Sequence, residues 1–373
     1  MTRSRSARRL LASTAGASAL VALSLTAPAA ADEHLDVVAH GLDNPRHLAF
    51  APTGDLFVAE SGRGGDGPCI EGPEGGTVCF GASGAITRVA PDGAQTRVLT
   101  GLPSVADEGT GEGASGPTDV VATGSQKLAF TVGLGADPDL RLSVPEAADM
   151  GKLWETTWRN GRVTELADIA QHEADANPVA GPDSNPGGLL RRGSTYVVAD
   201  AGGNTVVEAR RQGSTTTLAV LPSQLAEAPP FLGLPPGTLI PTEAVPTAVA
   251  EGPDGAVYVS QLTGFPFQEG LANIYRVDPD GSLDVYAGGL TTVTDLAFAD
   301  DGTLYVVELA SAGLLNGPVG ALVEIPPGGG DDHTTVVDGL FAPYGVALQG
   351  DTAYVTTGSV LPGGGQVVAV PLD

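Results

Sequence analysis

The feature that most constrains this chain is a unit that recurs six times. The unit is a Pro, an alternating apolar strand, a Gly-containing turn, and an aromatic-Val strand ending in a small or acidic residue, and five copies keep the Pro and five the aromatic. Pro45 leads to Phe57, Pro117 to Phe130, Pro186 to Val197, Pro246 to Tyr258, Val293 to Tyr305 and Pro343 to Tyr354, at separations of 12, 13, 11, 12, 12 and 11 residues. Each copy reads as a hairpin, because Thr53-Gly54, Asp254-Gly255 and Asp301-Gly302 fall where a tight reversal needs positive φ. A third strand then begins near Gly84, Asn273, Gly320 and Gly365, and a fourth near Thr96, Val163, Leu283 and Thr334. Four antiparallel strands repeated six times give an all-β fold, a six-bladed β-propeller of four-stranded antiparallel blades, at about 57 residues per blade. The last copy stops after its third strand. The segment Leu35–Leu42 ends in Gly-Leu like the other fourth strands, so the N-terminal strand is expected to complete the last blade and close the ring.

Composition agrees with this architecture. The chain has 53 Gly and 29 Pro among 373 residues, far too many for a helical protein, yet 42% of its residues are hydrophobic, so it has core material. Arg3, Arg5, Arg8 and Arg9 precede an apolar stretch and Ala29-Ala30-Ala31, the pattern of a secretory signal peptide over 1–31; the Arg8-Arg9 pair raises the twin-arginine route, but the surrounding residues match that signal only in part and favour the general one. The expected secreted form is a single domain over 32–373. Losing four arginines and no acid, it goes from a net charge of −26 to −30. Only two lysines occur, Lys127 and Lys152, which excludes nucleic acid as a partner. No later stretch offers 18 consecutive apolar residues, so no membrane span is expected, and the chain is expected to be a monomer. Cys69 and Cys79 share one Gly-rich loop and are expected to form a disulfide, a metal pair being the alternative that lacks nearby His partners.

In such a blade, the start of the first strand and the end of the second share one face. That face should gather Arg46, His47, Thr118, Asp119, Asn185, Thr247, Thr294, Asp295 and Tyr344 from first strands. Second-strand ends and the turn after one of them add Glu60, Gly133, Asp200, Asn204, Gln261, Glu308 and Thr357. The long insertions fall on the same face, which makes it the expected binding surface. Five carboxylates around one axis need compensation by a cation, an arginine or protons. Ca2+ held by Glu60, Asp119, Asp200, Asp295 and Glu308 is one such solution, and hydrogen bonding to turns and water is the other. His47 is the only histidine expected at this mouth and the weak candidate for a general base, since His34, His40, His172 and His333 fall elsewhere. The chain has no G-x-S-x-G elbow, no H-E-x-x-H and no phosphate loop.

The segments SNPGGLL at 184–190, VVADAGGNTVVEA at 197–209 and VPTAVAEGPDGAVYVSQLTGFPFQEGLANIYRV at 245–277 resemble the ScyD/ScyE family of secreted NHL-type propellers, with LTGFPF at 262–267 the most specific string. The resemblance runs from about His40 to the C-terminus. Gly187 and Ser260 depart from it, standing where relatives often carry an aromatic and a Gly. It implies a fold and secretion but no general reaction; wider kin include calcium-dependent lactonases and quinoprotein sugar dehydrogenases. Two functions are therefore in play. One is a binding or accessory propeller holding a small molecule or cell-envelope partner at its mouth. The other is a Ca2+-dependent hydrolase or lactonase in which the metal polarises a carbonyl.

Overall fold

The computed structural model describes residues 35–72, 75–176 and 181–372. The expected signal peptide and His34 lie outside these residues. The fold is all-β, and six sheets of four or more antiparallel strands follow one another along the chain. The first contains Pro45–Phe50, Leu56–Glu60, Thr77–Val89 and Gln95–Asp107, extended by the short strand Cys69–Glu71. The hairpins Pro117–Gly124/Lys127–Val132, Pro186–Arg192/Thr195–Asp200, Pro246–Glu251/Val257–Gln261 and Val293–Phe298/Leu304–Glu308 open the next four sheets. In the sixth, the order Val346–Leu348, Thr352–Thr357, Gly365–Pro371 is completed by the N-terminal strand Asp36–Leu42, which pairs antiparallel with Gly365–Pro371.

The repeat explains the register. In four hairpins the aromatic stands opposite an Ala: Phe57 faces Ala49, Tyr258 faces Ala250, Tyr305 faces Ala297 and Tyr354 faces Ala347. The turn glycines Gly54, Gly255 and Gly302 sit at φ of 82°, 76° and 91°, where a side chain would be strained. Second strands such as Leu56–Glu60, Val257–Gln261 and Leu304–Glu308 are buried at every residue, because both faces of each sheet are covered by neighbours.

Six separate cores fill the spaces between consecutive sheets. Phe57, Ile86 and Phe130 lie between the first and second, and Tyr258, Ile274 and Val306 between the fourth and fifth. Leu42, Val58 and Val367 lie between the sixth and the first. Neighbours along a strand point into different cores, as Val306 and Val307 do, which is the two-residue period of a β-strand at work. The opening strand of each sheet also packs against that of the next, and the sixth against the first.

The structure departs from a plain six-sheet count. A seventh, two-stranded ribbon, Gln224–Glu227 with Leu239–Thr242, is built from the insertion between the third and fourth sheets, and no sheet closes on itself among the described residues. The segment after the second sheet carries an α-helix, Ile169–Ala176, whose buried Ile169 and Ala170 dock it. The apolar ribbon residues lack the Pro and aromatic spacing of the repeat, so the repeat carried no signal for that pairing.

Candidate functional site

The first residue of five opening strands pairs with the end of the next strand: Pro45 with Glu60, Pro117 with Val132, Pro186 with Asp200, Pro246 with Gln261 and Val293 with Glu308. Strand starts and strand ends thus share one end of each hairpin, as the sequence implied. Immediately after each of these first residues the register slips, at Arg46–His47, Thr118, Gly187–Gly188, Thr247–Ala248 and Thr294. Such bulges re-aim side chains, and here they recur at the residues expected to form the mouth.

Much of what these residues do is to join one sheet to the next. Hydroxyls donate across the junctions to backbone carbonyls: Ser61 to Pro117 at 3.0 Å, Thr131 to Gly187 at 2.7 Å, Thr247 to Val293 at 2.8 Å and Thr294 to Tyr344 at 2.6 Å. Thr356 donates to the Arg46 carbonyl at 2.8 Å, carrying the belt from the sixth sheet to the first. At the third-to-fourth junction a glycine takes this place, since a Cβ at Gly188 would lie 2.3 Å from the Ala248 Cα. Sequence reasoning missed this belt, although its hydroxyl residues lie next to the hairpin positions already singled out.

The five acids proposed for a metal belong to separate hydrogen-bond systems. Glu60 is fully buried and accepts from Arg97 Nε at 3.0 and 3.2 Å and Nη2 at 2.6 Å, from the Asp43 amide at 2.8 Å and from Thr87 at 2.5 Å. Asp200 accepts from the Asn185 amide at 2.6 Å, Ser184 at 2.8 Å and the Gly203 amide at 3.3 Å. Burial nonetheless pushes its carboxyl up to about 7, against the pull of those donors. Glu308 accepts from the Thr291 amide, and burial raises its pKa. Asp119 accepts from the Val120 and Leu189 amides, both at 2.6 Å, and Asp295 from the Leu296 and Val346 amides, both at 2.8 Å. Asp119 and Asp295 therefore also bridge sheets. Among the described residues, the one set of three or more His, Cys, Asp or Glu groups with ligand atoms within 4.8 Å of one another is Cys69, Cys79 and Glu108. Those cysteines are joined as a disulfide, as the sequence suggested. The five acids thus offer no common coordination point and do not fit a shared Ca2+.

His47 sits among the best-placed of these groups. It is buried, its Nε2 lies 3.1 Å from the Thr294 carbonyl, and its Nδ1 lies 3.4 Å from Asp119 Oδ2. Nε2 faces an acceptor, so it carries a proton, and Nδ1 faces a carboxylate. Burial alone would lower the pKa, but the charges of Asp295 and Asp119, the Asp119 hydrogen bond and the Thr294 carbonyl outweigh it and lift it to about 9. Both ring nitrogens thus face oxygens contributed by other sheets, an arrangement that favours the protonated ring. Burial raises Asp295 to about 6, with the Asp119 charge adding to the rise and His47 opposing it.

The remaining mouth residues are a mixture of scaffold and open surface. Arg46 is half-buried, donates to the Ala114 carbonyl at 2.7 Å and to Ser61 at 3.3 Å, and lies 4.6 Å over the Tyr344 ring, which also stacks 5.1 Å from His47. Burial lowers the Arg46 pKa and raises that of Tyr344. Asn204 accepts from the Val245 amide at 2.9 Å and joins the third sheet to the fourth. The buried Gln261 accepts from Gln224 at 2.9 Å, tying the two-stranded ribbon to the fourth sheet. Asn185 presses against Gly133, where a Cβ would lie 2.5 Å from its Oδ1. A side chain at this strand end would displace the Asn185 amide.

No family model matches the chain, and no curated protein matches it in sequence. Among solved structures, it is similar to a glucose dehydrogenase at 14% identity and a TM-score of 0.55, over 91% of this chain and 99% of that one. Virginiamycin B lyase from Staphylococcus aureus is similar at 12% identity and a TM-score of 0.48, covering 91% and 99%. A nidogen/laminin complex matches at 14% identity and a TM-score of 0.43, covering 75% and 84%. At these identities the likeness to the dehydrogenase is one of fold.

Proposed function

We propose that this chain is a secreted six-bladed β-propeller of the ScyD/ScyE type, closed by its N-terminal strand, that binds a small molecule or cell-envelope partner at its loop-rich mouth without turning it over. Six inter-sheet cores, the sixth lying between the last sheet and the first, support the ring. The disulfide accords with an oxidising compartment. The observation that carries the binding reading is the engagement of the titratable groups. Each of the five acids accepts hydrogen bonds from the scaffold, and both ring nitrogens of His47 face oxygens of neighbouring sheets. A metal-assisted hydrolysis needs carboxylates that share a cation and a base with a free lone pair. The mouth instead offers the Arg46–Tyr344 pair, a cation stacked on an aromatic, at half-buried positions suited to a polar or aromatic ligand.

Calcium titration of the purified protein by calorimetry tests this reading. The expected result is no stoichiometric heat up to millimolar Ca2+. One-to-one binding that disappears in Asp295→Asn, together with lactone hydrolysis, would overturn it in favour of the hydrolase.

A further inference from the structure

Six of the twelve large apolar side chains that are exposed among the described residues stand on one projection. Leu225, Phe231, Leu232, Leu234 and Leu239 come from the ribbon insertion, and Phe265 joins them from the adjoining 262–267 segment. Phe231 is 69% exposed, Leu225 59% and Leu239 57%. The ribbon register explains how this arises. Leu225 pairs with Pro241 and Glu227 with Leu239, so these four share one face, while Ala226 and Thr242 on the other face are buried against the body. A ribbon with solvent on its outer side ordinarily turns polar residues outward. This one turns out two leucines and a proline, and its three-residue 3-10 turn, Pro230–Leu232, adds Phe231 at the tip.

The projection is held in place. Gln224 donates to Gln261 at 2.9 Å and to the Leu271 carbonyl at 3.2 Å, the Glu227 amide donates to Gln268 at 2.7 Å, and Thr242 donates to the Gly264 carbonyl at 2.8 Å. The Phe231 and Phe265 rings meet edge-on at 6.2 Å. Thr263 and Phe267 hold φ of 68° and 57°, a conformation that costs a non-glycine residue energy and persists only where the surroundings impose it. An ordered surface of this kind loses little entropy on binding.

Charge selects the occupant. Between Arg211 and Arg276 the sequence has no Lys, Arg or His, and it has five acids: Glu227, Glu243, Glu251, Asp254 and Glu269. Glu227, Glu243 and Glu269 are exposed on the ribbon and its neighbouring loop. Further acids stand behind them, since the Glu243 and Asp137 charges act on Asp183 and the Glu269 charge acts on Glu308, which also feels the opposing charge of His333. A second copy would bring acid against acid, with a net charge of −26 on each chain. An anionic bilayer would be repelled for the same reason. We propose that this ridge docks a cationic amphipathic peptide segment of a protein partner, its apolar side lying across Leu225, Phe231 and Leu239 and its Lys or Arg side chains meeting Glu227, Glu243 and Glu269. The proposal rests on the loop face being a binding face, but it uses no residue of the channel.

The test uses fluorescence anisotropy with a labelled 14-residue Leu/Lys amphipathic peptide in 150 mM NaCl. A Leu/Glu peptide of the same pattern and phosphatidylcholine vesicles serve as comparisons. The expected result is micromolar binding of the Leu/Lys peptide alone. It should weaken at least tenfold in the triple variant Leu225→Ser/Phe231→Ser/Leu239→Ser, and to a similar degree in Glu227→Lys/Glu243→Lys. Unchanged thermal melting of both variants would show that the fold is kept. Equal binding to wild type and the triple variant would assign the affinity to diffuse surface charge and overturn the proposal. So would no binding at all, vesicle binding that the triple variant loses, or a dimer that the triple variant dissociates. None of these outcomes bears on the calcium titration, so failure here and failure of the mouth reading are distinguishable.

Discussion

Arg97 holds the sixth sheet to the first. Its guanidinium donates to both oxygens of Glu60, to Asp43 Oδ2 at 3.0 Å and to the Gly41 carbonyl at 3.2 Å. It thus ties the N-terminal strand, which belongs to the sixth sheet, to the first sheet, and the Glu60 hydrogen bond and charge raise its own pKa. Arg97→Met would leave the Glu60 carboxylate buried without its counter-charge. Breaking a buried pair costs about 3–5 kcal/mol, and because Arg97 is 37% exposed, water can replace part of what is lost, which places the expected cost near 3 kcal/mol. Asp43 keeps Arg63 as a second partner at 3.4 Å, so the loss concentrates on Glu60. Equilibrium urea unfolding reports the change, with Trp158, packed against Phe57 in the core between the first and second sheets, as the fluorescent reporter of global unfolding. The decisive control is the double variant Glu60→Gln/Arg97→Met, which removes the buried charge and should recover about half the loss or more. A cost under about 1 kcal/mol for Arg97→Met, or no recovery in the double variant, would refute the view that this pair clamps the junction.

Two further outcomes follow from the same geometry. Thr356→Val removes the donor to the Arg46 carbonyl and the acceptor for the Gly345 amide, and Thr131→Val removes the donor to the Gly187 carbonyl and the acceptor for the Asp119 amide. Each should cost about 2 kcal/mol; near-equal drops in Tm are expected if the sixth-to-first junction is built like the second-to-third, and a much smaller drop for Thr356→Val would contradict closure. Reducing the Cys69–Cys79 bond, which joins directly paired residues in adjacent strands, should lower stability by no more than about 3 kcal/mol and leave the ring folded. Loss of far-ultraviolet β signal on reduction would show that the bond supports the whole fold.

The repeat made the sheets legible because Pro, Gly and the aromatic residues act locally. Gly54, Gly255 and Gly302 reverse the chain where they stand, and Phe57 or Tyr305 finds an Ala opposite within its own hairpin. The closing strand was legible for a related reason, since its Gly-Leu ending repeats that of other fourth strands. Which residues cluster at the hairpin ends was also legible, from the pairing of Pro45 with Glu60 and its counterparts. Their partners were not. Arg97 lies on a fourth strand, and His47 meets Asp119 from the second sheet and Thr294 from the fifth, contacts that exist only once the sheets are assembled. The sequence therefore showed five acids and left open whether a cation or protein donors compensate them. Assembly supplies backbone amides, hydroxyls and Arg97, and of the five acids Asp119 and Asp295 still act on one another around His47.

The central claim is that the charged groups at the hairpin ends hold neighbouring sheets together and leave no free base, and His47 tests it most directly. NMR titration of its ring, assigned with His47→Gln, should give a pKa near 9 against 6.5 for the unfolded chain. Because the folded value is the higher one, the stability this implies is fully present below pH 6.5 and is lost as pH rises through 9, amounting to about 3 kcal/mol. The stability difference between wild type and His47→Gln should shrink over that same interval. A ring that titrates at or below 6.5, leaving a neutral imidazole at physiological pH, would contradict the account and return His47 to the role of general base.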